Sequence, residues 1–172
     1  TDITAQVPKK NHYVFSRPYG IPVRFHDYQT LIENMRIDFV EFHLSYHDLD
    51  VKLTDFFSRS QTIGFAVHSP ELFANDHILD LASNDADYLA RSILELERTV
   101  AVADQLRTYF HATPRPVMVL NAGGWTPEAF LPVDARAVLY DRVAKALSRV
   151  DLSQVQLAIQ TMPPFPWHFG GQ

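Results

Sequence analysis

The sequence contains no cysteine among its 172 residues. This absence excludes disulfide bridges, thiolate metal ligands and cysteine nucleophiles, and it suits the reducing cytoplasm, where we expect the protein. No apolar run approaches the ~20 residues that a membrane-crossing helix needs. Basic residues are outnumbered, with 15 Lys and Arg against 20 Asp and Glu, for a net charge of −5. Because nucleic-acid-binding surfaces cluster Lys and Arg, we expect no nucleic acid as partner. Because no apolar run is long enough to span a bilayer, we expect no membrane as partner either.

Several signature motifs of enzyme classes are also missing. The sequence has no Gly-x-Ser-x-Gly nucleophile elbow, no Walker loop and no Gly-x-Gly-x-x-Gly dinucleotide motif. Its apolar fraction of 47% is that of an ordinary globular protein. We therefore expect one domain over residues 20–172 that binds a small molecule, after a linker or lead-in over residues 1–19. Because the chain begins with Thr1 rather than Met, we expect a segment of a longer protein.

Strand-like and helix-like stretches alternate along the chain. Short apolar runs predict five strands, at residues 21–25, 37–45, 62–68, 117–120 and 155–159. Between them, capping residues and apolar positions three or four apart predict helices at residues 27–35, 53–59, about 86–110 and 134–149. Since a parallel crossover needs a helix-length connection, this alternation predicts an α/β fold with parallel strands.

The length of the chain limits the choice of α/β fold. A complete eight-stranded TIM barrel usually takes ~250 residues, and about 200 at the least. Two architectures remain: an incomplete TIM barrel of parallel βα repeats with about five strands, or a complete open five-stranded doubly wound sheet. An incomplete barrel has two open edges, and open edges tend to pair with other strands. We therefore expect further domain segments, or self-association through these edges.

Three of the apolar runs end in a polar residue: His68, Asn121 and Gln160. Ligands of α/β folds bind at the carboxyl ends of the strands, so these three are candidate substrate-binding residues. Asn and Gln donate and accept hydrogen bonds to hydroxyls or carboxylates, and His68 suits a metal or a sugar oxygen. The alternative is that backbone groups, water or each other satisfy these side chains.

Glu41 and His43 lie two residues apart on a predicted strand, so they share one face. They are candidate catalytic residues, as an acid/base pair or as contacts to sugar hydroxyls. The alternative is a hydrogen-bonded pair at a barrel rim.

Other residues carry two interpretations each. Arg17 and Arg24 could bind a substrate carboxylate or phosphate, or form surface ion pairs. Residues 123–124, a Gly-Gly pair, could present backbone N–H groups to a phosphate or simply make a turn. Trp167 and Phe169 could line a sugar face or pack in a core or interface.

Three strand-end motifs carry a resemblance to a known family. The chain resembles the xylose isomerase-like TIM-barrel superfamily over roughly residues 20–172, whose members include sugar phosphate isomerases, epimerases and endonuclease IV. That family typically reads V-H-A-P, then V-V-H-P-G, then L-A-L-E-N-M, and the corresponding segments here are Val67-His68-Ser69-Pro70, Val119-Leu120-Asn121-Ala122-Gly123-Gly124 and Leu157-Ala158-Ile159-Gln160-Thr161-Met162.

The resemblance implies a sugar or sugar phosphate isomerase or epimerase of carbohydrate biosynthesis. It implies a divalent metal, Mn, Mg or Zn, with His68 and Gln160 among its ligands, and a small sugar or sugar phosphate as partner. Substrate contacts would come from His68, Asn121, Gln160 and Trp167. Residues 17–24, residues 41–46 and the segment around Trp167 also resemble a module attached to bacterial sialic acid (nonulosonate) synthases.

Two departures from the family pattern affect the expected metal shell. Relatives use the Glu of the third motif as a metal ligand, and several use the His of the second, whereas this chain has Gln160 and Asn121. An amide brings only a dipole to a hard cation, while a carboxylate brings charge, so we expect weak metal binding. The alternative function is a degenerate, non-catalytic module that binds a sugar or supports a neighbouring domain.

Overall fold

The computed structural model describes residues 16–125, 131–160 and 162. Within these residues, five strands form one parallel sheet: β1 (Gly20–Val23), β2 (Phe39–His43), β3 (Gly64–His68), β6 (Val117–Leu120) and β7 (Gln156–Ile159). Two shorter strands, β4 (Leu72–Phe73) and β5 (His77–Ile78), form an antiparallel hairpin. The five predicted strands are therefore confirmed, and the hairpin is an addition that the apolar pattern did not predict.

The order of the strands identifies the type of α/β fold. In the sheet, β1, β2, β3, β6 and β7 lie side by side in chain order, with every pair parallel. A doubly wound sheet reverses its strand order at a switch point, and this sheet does not. Progress in one direction is the pattern of a TIM barrel, and within the described residues β1 and β7 do not meet. The incomplete barrel of about five strands is confirmed, and the doubly wound alternative does not hold.

Three α-helices are described: α1 (Tyr28–Ile32), α2 (Ala86–Leu106) and α3 (Val133–Leu147). The side chain of Asp85 caps α2 by accepting from the backbone N–H groups of Asp87 and Tyr88. The predicted helix at residues 53–59 is instead a 3-10 turn at Leu53–Asp55, preceded by another at Tyr46–Leu49. None of the helices in the described part of the chain is long and apolar enough to cross a membrane.

The two faces of the sheet differ because side chains alternate along each strand. One face contributes fully buried apolar residues, among them Val40, Phe42 and Val67, to a single core cluster. Aromatic rings enlarge this core, with Phe42 lying 5.2 Å from Phe25 and 5.5 Å from Phe110 between ring centroids. The opposite face, which lines the interior of a barrel, carries the polar residues Glu41, His43 and His68 together with apolar residues such as Ala66 and Val119.

Candidate functional site

The register of β2 and β3 brings three polar side chains together. The strands run parallel with Glu41 beside Ala66 and His43 beside His68, so all three polar residues lie on the interior face near the carboxyl ends. Glu41 Oε1 lies 2.7 Å from His43 Nε2 and 3.0 Å from His68 Nδ1. The two imidazole rings are 4.5 Å apart between centroids. We call Glu41, His43 and His68 the carboxylate–imidazole cluster.

Hydrogen bonding to Glu41 selects the tautomer of each histidine. An ionised carboxylate only accepts, so His43 presents its Nε2–H and His68 its Nδ1–H to Glu41. This leaves His43 Nδ1 and His68 Nε2 as proton acceptors when the rings are neutral. The side chain of His43 is 37% exposed and that of His68 is 16% exposed, so the cluster is partly buried and open to a ligand on the His43 side.

The donor set of the cluster also fits a divalent metal. One carboxylate oxygen and two ring nitrogens lie within 4.8 Å of one another. Two imidazoles with one carboxylate is a ligand combination found in zinc and other transition-metal sites. The sequence prediction paired His68 with Gln160, and the structure adds Glu41 and His43, whose ligand atoms lie within 4.8 Å of that of His68.

Gln160 lies one residue beyond β7, and its backbone N–H donates to the Leu120 carbonyl at 2.9 Å. Strand β6 separates β7 from β3, which corresponds to about 10 Å between the backbones of those two strands. The side-chain oxygen of Gln160, Oε1, is buried without a hydrogen-bond partner among the described residues. The role of Gln160 as a metal or substrate ligand stays a prediction.

The turn after β6 is held by a hydrogen bond between its own residues Asn121 and Gly123. Asn121 is 5% exposed, and its Oδ1 accepts the Gly123 N–H at 3.2 Å. The Gly124 N–H donates to Asp80 Oδ1 at 2.9 Å. Both glycine amides are therefore engaged within the protein, which favours the turn interpretation of the Gly-Gly pair over phosphate binding. Substrate contact by Asn121 stays a prediction, and its side chain already serves the turn.

Glycine is required at position 123 for two reasons. Its φ of +84° lies in the left-handed region, which side-chain-bearing residues rarely adopt. A Cβ there would also lie 2.6 Å from Cα of Asp80 and 2.8 Å from the Leu79 carbonyl oxygen. The turn therefore packs backbone against backbone at the carboxyl end of β6.

Trp167 and Arg24 are two further predicted residues considered for the site. Trp167 lies outside the described residues. The Arg24 guanidinium donates from Nη1 to the backbone carbonyl of His43, which places it beside the carboxylate–imidazole cluster. The surface ion pair expected as the alternative for Arg24 does not occur among the described residues. Neither the closeness of His68 to Glu41 nor that of Arg24 to His43 was predicted, because both depend on strand register.

The sheet order and the polar interior face define the class of protein: a partial parallel α/β barrel with a candidate site at the carboxyl ends of its strands. A family model described as "Xylose isomerase-like TIM barrel" matches residues 30–172. The chain belongs to the xylose isomerase-like TIM-barrel family. No curated protein matches the sequence.

Two solved structures are similar to this chain. One is described as "Crystal structure of D-tagatose 3-epimerase-like protein", with a TM-score of 0.59 and 18% identity over 86% of this chain and 54% of that one. The other, "Structure of L-ribulose 3-epimerase", has a TM-score of 0.49 and 19% identity over 83% of this chain and 48% of that one. The chain thus spans about half the length of these proteins. The likeness to the first of these structures, at 18% identity, shows the fold alone.

Proposed function

We propose that this chain is the site-bearing part of a sugar isomerase- or epimerase-type barrel that acts on a small sugar or sugar phosphate. The observation that carries the proposal is the bridging of two imidazoles by Glu41 Oε1, at 2.7 and 3.0 Å. Membership of the xylose isomerase-like family supports it. So does the place of the cluster, since TIM-barrel enzymes bind substrates at the carboxyl ends of their strands.

Isomerisation and epimerisation of sugars both move a proton at a carbon next to a carbonyl. Such a step needs a group that accepts the proton from carbon and a group that returns one to carbon or oxygen. In the cluster, His43 Nδ1 and His68 Nε2 are the proton-accepting atoms, because Glu41 occupies the other nitrogen of each ring. Glu41 orients both rings and stabilises either one when it becomes charged, as a carboxylate does for a catalytic histidine.

A divalent metal is part of the proposal: it would be held by Glu41, His43 and His68 in place of the hydrogen bonds from Glu41 to the two rings. A histidine that ligates the metal would then be a ligand and not the proton acceptor. Such an ion supplies Lewis-acid polarisation of sugar oxygens when bound. Imidazole ligands favour Zn over Mg, with Mn intermediate in this respect. Gln160 would add only a neutral oxygen, so most of the charge that stabilises the cation comes from Glu41.

The uncovered parts of the sheet support the expectation of further barrel segments. Ile159 of β7 is 46% exposed, whereas its register partner Leu120 on the neighbouring β6 is fully buried. Additional βα units packing on β7 would cover Ile159, and self-association of the chain through its edges is the alternative. A role in carbohydrate biosynthesis, attachment to a sialic acid-type synthase and a place in the cytoplasm rest on the sequence resemblance and composition, and stay predictions.

A non-catalytic sugar-binding module is the second candidate function. The observation that favours it is the local use of Asn121, whose Oδ1 accepts the Gly123 N–H in a buried turn. Several members of the family that the sequence resembles have a metal-binding His at the position of Asn121. In this chain the Asn121 side chain stabilises the turn instead. In this alternative the cluster binds sugar hydroxyls without proton transfer.

Proton exchange in D₂O separates the two candidates. The intact protein is incubated with a panel of ketoses and aldoses, with and without Zn²⁺ or Mn²⁺, and deuterium next to the carbonyl is followed by NMR. The proposal predicts metal-stimulated exchange that Glu41→Gln abolishes and that the exposed-surface control Glu33→Gln leaves intact. Sugar binding without exchange would favour the second candidate, and neither binding nor exchange would contradict both.

A further inference from the structure

The strand register places a cationic side chain next to the carboxylate–imidazole cluster. Val23, the last residue of β1, lies beside Phe42 of β2, so the following residue, Arg24, comes level with His43. The Arg24 guanidinium donates from Nη1 to the His43 backbone carbonyl. The backbone N–H of Arg24 donates to Asp27 Oδ1 at 2.7 Å, which fixes the turn after β1. Arg24 is therefore tied to the site from both its backbone and its side chain.

Arg24 retains hydrogen-bonding capacity for a ligand. A guanidinium has five N–H donors, and the described contacts of this one use a single donor. None of the ion pairs formed within the described residues includes Arg24. A cleft of about 290 Å³ adjoins it, lined by Pro22, Val23, Arg24, Asp27 and His43. His43 belongs to both the cleft and the cluster. A ligand that contacts His43 can therefore also reach Arg24.

We propose that Arg24 binds an anionic end group of the substrate, a phosphate or a carboxylate, and so makes the site selective for charged sugars. The inference rests on the proposed function and names its substrate class. The planar fork of Arg matches two oxygens of a phosphate or carboxylate, which gives both strength and direction to the contact. Asp27 also lines the cleft, with its Oδ1 accepting the Arg24 N–H, and it remains an acidic side chain, so the attraction for an anion comes from the Arg24 guanidinium.

The test compares three sugars that differ only in their end group: D-tagatose, D-tagatose 6-phosphate and D-tagaturonate. Affinities for the intact protein are measured by calorimetry or NMR titration. Hydrogen bonds to a charged group predict a preference of about ten- to hundredfold for the charged sugar. The phosphate and carboxylate arms show which anion is preferred. Arg24→Gln should bring the affinity ratio of charged to neutral sugar close to one, and Arg24→Lys should restore part of it.

Arg36→Gln is the matched control, because it removes the same charge from an exposed residue that precedes β2 at the opposite end of the sheet. It should leave the ratio as in the wild type. Equal affinity of the wild type for neutral and charged sugars would overturn the inference while leaving the proposed function intact. So would a preference that survives in Arg24→Gln.

Inorganic phosphate is a probe that requires no sugar binding. In ³¹P NMR, the wild type should broaden the phosphate signal more than Arg24→Gln does, with Arg36→Gln like the wild type. If this difference is seen and no sugar binds, the anion site stands and the proposed function fails. If the three proteins behave alike, the anion site is refuted whatever the sugar titrations show.

Discussion

Protonation of His77 should destabilise the fold below neutral pH. His77 begins β5 and is 3% exposed, with its ring 4.3 Å from that of Tyr88. Its Nε2 lies 3.0 Å from Ser92 Oγ, which itself accepts the Asp80 N–H at 3.1 Å. Ser92 therefore has its hydroxyl hydrogen available for Nε2, which suits a neutral imidazole. Loss of this contact would weaken the attachment of the hairpin to α2, which the hydroxyl of Tyr88 also holds through the backbone of Ile78.

The sign of the effect follows from the pKa of His77. Burial lowers that pKa below its ordinary value of 6.5, and the nearby Arg91 lowers it further, while Glu95 and Asp80 oppose the change. Well above pH 6.5 this residue is unprotonated in both the folded and the unfolded form, so protonation does not change the free energy of unfolding there. As the pH falls through the unfolded value, the unfolded chain takes up a proton that the folded chain resists. The free energy of unfolding therefore falls, by at most about 1.4 kcal/mol per pH unit for one proton.

Urea unfolding at about pH 7.5 and about pH 5.5 measures this effect. The wild type should lose up to about 1.4 kcal/mol more than His77→Gln between the two conditions, because glutamine does not titrate. The exposed His111→Gln is the control and should follow the wild type. If the stability difference between wild type and His77→Gln is the same at both pH values, the buried neutral histidine is refuted.

Three substitutions test the supports of the site and the core by urea unfolding. Gly123→Ala should cost roughly 2–4 kcal/mol, since it adds left-handed strain to a 2.6 Å approach to Asp80, and a change under about 0.5 kcal/mol would refute the tight turn. Asp85→Ala should cost about 1 kcal/mol by removing the cap of α2, while Asp85→Asn should cost little, and equal losses would contradict the cap. Leu96→Ala should lower the free energy of unfolding by roughly 2–5 kcal/mol because the side chain is fully buried. A loss under about 0.5 kcal/mol, as at exposed positions, would contradict its place in the core.

Apolar periodicity predicted the large elements because they are long or fully buried. The run at residues 117–120 coincides with β6, and the capping residues before α2 place its start correctly. The hairpin of β4 and β5 was missed because two-residue strands carry too few residues for a period. Its turn does contain Asn75 and Asp76 at positive φ, and these residue types tolerate that conformation, so a local signal existed.

The site was predicted as residues but not as an arrangement. Glu41 and His43 were found by their two-residue spacing, and His68 by its place after an apolar run. Their meeting depends on the register of two parallel strands 25 positions apart, from His43 to His68, which no local pattern encodes. The capture of Asn121 by the Gly123 amide is a local turn that Asn favours, and it competes with the ligand role expected from its strand-end position.

A Zn²⁺ titration followed by the ring ¹⁵N signals of the histidines tests most directly whether Glu41, His43 and His68 form one site. The account predicts that His43 and His68 respond together and saturate at one equivalent. In Glu41→Gln the joint response should be lost, while the control Glu33→Gln should keep it. A response confined to other histidines, or one by His43 and His68 that is unchanged in Glu41→Gln, would contradict the account.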